Sequence, residues 1–155
     1  MISCDICIVG AGPAGASAAL FLAKKGINSI VIDKATFPRD KICGDACSGK
    51  VSWVLRKLDV EIEKDFANNR TNLPSWGVKF FGSQNNELKV PFKLNYNKED
   101  DQAPGFISRR IDFDNQLLEL LKKEKRINLI ENTPIIDYQR EGNELILSNH
   151  QLGFK

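Results

Sequence analysis

The chain has 155 residues, 42% hydrophobic and 27% charged, with a formal net charge of +2. That length suffices for one domain with a real core, and the composition is that of a soluble globular protein. The small charge argues against nucleic acid as a partner, and no apolar run approaches the roughly 20 residues needed to cross a bilayer.

Asp5-Ile6-Cys7-Ile8-Val9 is a short apolar run and the expected first strand, buried and parallel. It starts so close to Met1 that no leader peptide is expected, which makes the cytoplasm the default location. Gly10-Ala11-Gly12-Pro13-Ala14-Gly15 follows, then an alanine- and leucine-rich stretch over 14–25 that favours helix and stops at Gly26. Ser29-Ile30-Val31-Ile32 is the second strand, ending on Asp33. Strand, glycine turn, helix, strand and acid fall at the spacing of a dinucleotide-binding unit. Gly10 allows the tight turn, Gly12 lets a pyrophosphate approach the backbone, and Gly15 allows close packing of helix on strand. The helix N-terminus offers unpaired N–H groups to the phosphates, and the Asp33 carboxylate can accept from both ribose hydroxyls.

Cys4, Cys7, Cys43 and Cys47 form two close pairs. Cys4 and Cys7 lie three apart on the expected strand, so their side chains should point to opposite faces and bind no shared metal. Cys7 is then a small core residue.

Residues 34–49 carry Pro38, two glycines, three cations and little periodicity, and read as an ordered functional loop. Arg39 and Lys41 in it suit either a ligand site or a solvated loop face. Val51, Val54, Leu55 and Leu58 give a one-sided helix over 50–58, and the polar stretch 59–74 reads as a surface excursion. Runs at 77–82 and 88–92 flank Asn85-Asn86 as a hairpin, with Pro91 suiting an edge. A charged connection over 95–102 leads to a short strand at 106–108 and a helix over 112–123, whose Phe113, Leu117, Leu118 and Leu121 face inward. Ile127-Asn128-Leu129-Ile130 is the next parallel strand, and 135–139 with 144–148 a second hairpin. His150, in a polar context, reads as solvated. The fold class is α/β: a Rossmann-like parallel sheet with helices plus a small antiparallel hairpin module.

Three separated stretches carry a resemblance: Asp5 to Asp33, Phe37-Pro38-Arg39-Asp40-Lys41-Ile42-Cys43-Gly44-Asp45, and Gly105 to Asp114 with R-x-x-F-D at Arg110 to Asp114. Together they resemble the N-terminal portion of the geranylgeranyl reductase family of FAD-dependent oxidoreductases, which shares the flavin fold of p-hydroxybenzoate hydroxylase. The resemblance implies FAD as cofactor, with Gly10, Gly12, Pro13, Ala14 and Gly15 around its pyrophosphate. It implies Asp33 on the ribose, where most relatives carry Glu, with Lys34 and Arg39 also at the cofactor. Cys43, Gly44 and Ala46 would lie along the flavin, Cys43 beside the substrate as the one catalytic candidate, and Arg110 would contact FAD.

It further implies reduction of isoprenoid C=C bonds in a lipid-like substrate, with a peripheral membrane position as one option. Residues 1–155 would be one FAD-binding domain, with 77–94 the start of a substrate-covering sheet. The chain would be roughly one-third to one-half of such an enzyme, short of a second flavin-binding Gly-Asp segment. It is then expected to be inactive and poorly soluble alone, with exposed apolar hairpin faces, unless a second polypeptide supplies the rest. Two alternatives stand: a flavin monooxygenase or halogenase of the same fold, which usually lacks the Lys-x-Cys-Gly-Asp loop, and a non-catalytic nucleotide-binding fragment.

Overall fold

The computed structural model describes residues 2–99, 101–149 and 153–154. Its elements in chain order are β1 (Cys7–Val9), α1 (Pro13–Lys24), β2 (Ser29–Ile32), β3 (Ala46–Cys47), α2 (Gly49–Leu58), α3 (Val60–Asn68), β4 (Leu73–Ser75), β5 (Gly77–Phe81), a 3-10 turn (Ser83–Asn85), β6 (Glu87–Pro91), β7 (Gly105–Ile107), α4 (Arg110–Lys123), β8 (Ile127–Ile130), β9 (Asp137–Glu141), β10 (Glu144–Ser148) and β11 (Gly153–Phe154). They fall into two compact units, Met1–Lys41 with Ile111–Lys155, and Ile42–Arg110. His150 lies outside the described residues.

In the first unit β2 runs between β1 and β8, all three parallel, with Ile32 opposite both Val9 and Ile130. All four β2 residues are buried, as a central parallel strand covered on both faces requires. Proline at the first position of α1 suits its fixed φ, and the helix buries Ala16, Ala19 and Ala23, small enough to let it pack closely. Gly26, at φ +80°, ends it by donating its N–H to the Ala23 carbonyl. α4 buries Phe113, Leu117, Leu118 and Leu121 as its periodicity predicts, together with Asp114.

β9 and β10 form the expected hairpin, turning at Gly142 with φ +60°. Ile135 and Leu147 pack against Ile30 and Ile32, so this hairpin region is not bare on both sides; Ile136, Tyr138 and Leu145 remain exposed.

In the second unit β7 lies between β3 and β4 in an antiparallel sheet. The stretch after residue 58 departs from the sequence expectation, forming the helix α3 instead of a surface excursion. Asp59 caps it, its carboxylate accepting the Glu61 N–H at 2.8 Å, and Glu61 and Glu63 suit the positive N-terminal end. Its polarity concealed it, because one of its two buried residues is charged. Glu63 is buried with both carboxylate oxygens accepting from Arg56, at 2.5 and 2.7 Å. The other, Phe66, meets Phe106 edge-on at 5.2 Å between ring centroids.

The β5–β6 hairpin pairs Val78 with Val90 and Phe80 with Leu88, an apolar face left exposed. Its turn is the 3-10 segment with Gln84 at φ 59°, not a tight Asn-Asn turn.

The α3 packing is open to a two-step test by chemical denaturation. Phe66→Ala should cost about 3–5 kcal/mol as a buried aromatic truncation. Asp59→Ala should cost only about 1 kcal/mol, the worth of one helix cap. Equal costs would mean that α3 is held by its cap and not by its core contact.

Candidate functional site

The turn between β1 and α1 is built on contacts that only glycine permits. Gly10 sits at φ +106° and donates its N–H to the Ile32 carbonyl at 2.7 Å, anchoring the turn to the end of β2. A Cβ at Gly15 would lie 1.9 Å from the Gly10 carbonyl oxygen and 3.1 Å from the Ile8 side chain. Helix and strand therefore touch through that glycine, as the motif predicts. Gly12 is different: a Cβ there would meet only the Arg39 Nη2, at an ordinary 3.5 Å. Gly12 is also the N-cap of α1, and no side chain caps this end. The first N–H groups of the helix thus lack a side-chain cap, an arrangement that suits an anion.

Asp33 does more than its sequence position suggests. It is 6% exposed, and its Oδ2 accepts the Ala11 N–H at 2.7 Å while Oδ1 accepts the Ala35 N–H at 2.8 Å. The carboxylate is thus a clamp between the glycine turn and the loop after β2. Each oxygen keeps a second acceptor direction, so ribose hydroxyls can still be bound. The cleft beside it, about 400 Å³, is lined by Gly10, Asp33, Lys34, Arg39 and Lys41, with Thr133 and Pro134 opposite. That is the size of a small-ligand site.

Loop 34–41 is ordered by contacts invisible in the sequence. Glu131, just past β8, accepts the Phe37 N–H at 2.7 Å. The Arg39 guanidinium lies over the Phe37 ring at 4.8 Å and reaches Asp114 of α4 at 3.3 Å. Arg39 is therefore a fixed wall of the cleft and not a solvated loop cation. Asp114 and Glu131 are the residues that sequence reasoning missed. The first stood in the R-x-x-F-D motif without a role, and the second had no local signal.

In the second unit Cys43, Gly44, Ala46 and Arg110 are drawn together by Asp45, which adopts φ 54°. Its carboxylate accepts the Arg110 N–H at 3.2 Å and its carbonyl accepts the Ser108 N–H at 2.8 Å. Cys43 is exposed, and the hydrogen bond from Arg110, helped by the backbone at Asp45, lowers its thiol pKa below the usual value.

The other cysteine pair corrects an expectation. β1 begins at Cys7, so Cys4 precedes the strand and its thiol is hydrogen-bonded to that of Cys7 instead of pointing to the opposite face. Burial, with Cys4 adjoining, pushes the Cys7 thiol up to about 11. Burial and the neighbouring Asp5 charge raise Cys4 as well. Among the described residues no group of three or more His, Cys, Asp or Glu is placed to hold a metal ion, and no helix is long and apolar enough to cross a membrane.

Comparison with known proteins agrees with this geometry. Residues 3–46 match the FAD binding domain family. FAD is the cofactor of this unit. The chain is 50% identical over 56 residues to menaquinone reductase of Mycobacterium tuberculosis, covering 36% of this chain and 14% of that protein. It is 34% identical over 116 residues to the 1H-pyrrole-2-carbonyl-[peptidyl-carrier protein] brominase of Pseudoalteromonas luteoviolacea, 74% of this chain and 25% of the brominase. It is 25% identical over 146 residues to digeranylgeranylglycerophospholipid reductase of Picrophilus torridus, 94% of this chain and 34% of the reductase.

Solved structures share the fold, among them the following two. A geranylgeranyl bacteriochlorophyll reductase-like protein from Thermoplasma acidophilum superposes with a TM-score of 0.74 at 20% identity, over 99% of this chain and 37% of that one. Halogenase PltM in complex with phloroglucinol and FAD gives 0.74 at 20% identity, over 97% and 32%. Residues 3–46 thus carry FAD-binding character, and the chain spans 14–34% of the length of these three curated relatives.

Two expectations follow. Gly15→Ala should unfold at lower denaturant than wild type, because its Cβ meets backbone, whereas Gly12→Ala should keep wild-type stability within about 1 kcal/mol. Circular dichroism melts distinguish them, and equal losses would mean that Gly12 also serves packing. Second, iodoacetamide near neutral pH should label Cys43 before Cys4 or Cys7. A lowered pKa leaves more thiolate at a given pH, and raised ones leave less. Arg110→Met should slow Cys43 labelling, as read by peptide mass spectrometry.

Proposed function

We propose that this domain seats the ADP half of FAD on its glycine turn and works within an oxidoreductase that reduces isoprenoid C=C bonds of a lipid-like substrate. The observation that carries the cofactor seat is the pairing of an uncapped α1 N-terminus with an open Gly12 and a clamped Asp33. Gly10, Gly12, Pro13, Ala14 and Gly15 would line the pyrophosphate, Asp33 the ribose, and Lys34 and Arg39 the cleft wall. Cys43, Gly44, Ala46 and Arg110 would serve the flavin end. Reduced flavin supplies the hydride for such a reduction. The residues of this chain bind and orient it, and the Arg110-held Cys43 thiol would border the substrate.

The reductase reading is supported by the loop Lys41-Ile42-Cys43-Gly44-Asp45 and by two relatives named for reduction of menaquinone and of a digeranylgeranylglycerophospholipid. A halogenase or monooxygenase reading is favoured by the brominase, whose similarity covers 74% of the chain. The exposed apolar face of β5 and β6 suits contact with a lipid-like substrate. Since the chain spans only part of these relatives, turnover is proposed for the polypeptide or assembly in which the domain works, and cofactor binding for the domain itself.

Binding is tested first. FAD titrated into the 155-residue chain should quench flavin fluorescence, and Asp33→Ala should weaken binding by roughly 1.5–3 kcal/mol, typical for hydrogen bonds to a charged group. Asp33→Ala should also lower the melting temperature, because the Ala11 N–H loses its acceptor. Unchanged affinity would remove Asp33 from the cofactor site. With the complete enzyme and reduced flavin, saturation of an isoprenoid chain without oxygen consumption supports the reductase. Oxygen consumption with halide or hydroxyl transfer supports the alternative.

A further inference from the structure

A buried carboxylate on the second turn of α4 has no part in the hydrophobic logic of that helix. Asp114 is 0% exposed, on the same helix as buried Phe113, Leu117, Leu118 and Leu121. An ionised carboxylate in such a place costs several kcal/mol unless a cation answers it. Arg39 does so, its Nη1 standing 3.3 Å from the Asp114 Oδ2.

The other arm of the same guanidinium points elsewhere. Among the described residues, its own chain neighbours aside, Arg39 Nη2 is the atom that a Cβ at Gly12 would meet, at 3.5 Å. Because the guanidinium is planar and its donors form a rigid fork, anchoring Nη1 on Asp114 fixes the direction of Nη2. The Phe37 ring below it, buried and held through its N–H by Glu131, fixes the plane. The group retains 20% side-chain exposure and lines the cleft, so it is not sealed off from a ligand. The guanidinium, held by Asp114 and the Phe37 ring, thus stands beside Gly12, the residue that begins α1 without a side-chain cap.

We propose that Asp114 is a positioning residue for the cofactor's pyrophosphate, acting through Arg39, whose guanidinium it holds over Gly12. This rests on the proposed seat of the FAD pyrophosphate at the glycine turn. Arginine left free on an exposed loop would have to be immobilised on binding, at an entropic cost that the buried carboxylate removes beforehand. Asp114 contributes to affinity without touching the ligand.

The test is a double-mutant cycle on the 155-residue chain, titrated with ADP and separately with adenosine. Asp114→Asn and Arg39→Met should each weaken ADP about ten-fold, the low end for a hydrogen bond to a charged group, and leave adenosine within about two-fold. The double variant should bind ADP no worse than Arg39→Met, because Asp114 acts through Arg39. Parallel losses of ADP and adenosine, or losses that add in the double variant, would assign Asp114 a purely structural role and overturn the proposal.

If Asp114→Asn does not fold, Arg39→Lys carries the test. It keeps the charge but offers one nitrogen in place of a fork, so a nitrogen held by Asp114 leaves ADP as weak as in Arg39→Met. Full ADP affinity in Arg39→Lys overturns the proposal. A wild-type chain that binds neither ADP nor FAD would instead defeat the cofactor seat itself, and this inference with it.

Discussion

The first unit depends on one carboxylate. Ala11 is completely buried, so its N–H has no water to turn to, and Asp33 Oδ2 is what satisfies it. A buried donor left without an acceptor costs about 1–3 kcal/mol, a large part of a small domain's stability. The same side chain holds the Ala35 N–H and so starts the loop that carries Phe37 and Arg39. The Gly10 carbonyl against Gly15 then leaves α1 little freedom in its approach to the strand. The direction of the helix dipole, the position of the loop and the shape of the cleft all follow from how one turn is tied to the end of β2.

The second unit uses the same device. Asp45, in the left-handed region that Asp tolerates better than most residues, accepts the Arg110 N–H through its carboxylate and the Ser108 N–H through its carbonyl. That brings the Arg110 side chain to the Cys43 thiol and lowers its pKa. In both units a short acid within a recognisable motif first satisfies backbone donors, and any ligand contact is added to that. Replacing either acid would therefore leave backbone donors without their acceptor before any ligand is considered.

The comparisons have the same gradient as the physics. Identity is highest over the short alignment with menaquinone reductase and falls as longer stretches are matched. Proteins named for reduction and for halogenation share this fold. The fold accordingly says nothing about substrate, which is decided by side chains facing the flavin.

The sequence by itself determined the order and parallel pairing of the first βαβ unit, the inward face of α4, the strand at Ile127–Ile130 and both hairpins, but not the burial of β1, which is an edge strand with Val9 exposed. Each is marked by local periodicity or by glycines whose conformation no other residue adopts cheaply. It also placed the glycine turn and the acid at the end of β2, because the spacing of Gly10, Gly12, Gly15 and Asp33 is itself the geometry. The helix α3 was not legible, since its burial is shared between one phenylalanine and a glutamate that is apolar only in company with Arg56. Nor was the contact between Cys4 and Cys7, because strand alternation stops where the strand does. Tertiary structure alone decided that Asp33 is a clamp, that Glu131 orders the loop at Phe37, and that Asp114 holds Arg39. Those contacts join residues far apart in the chain, where no periodicity links them and only the packing of α4 and β8 brings the partners within reach.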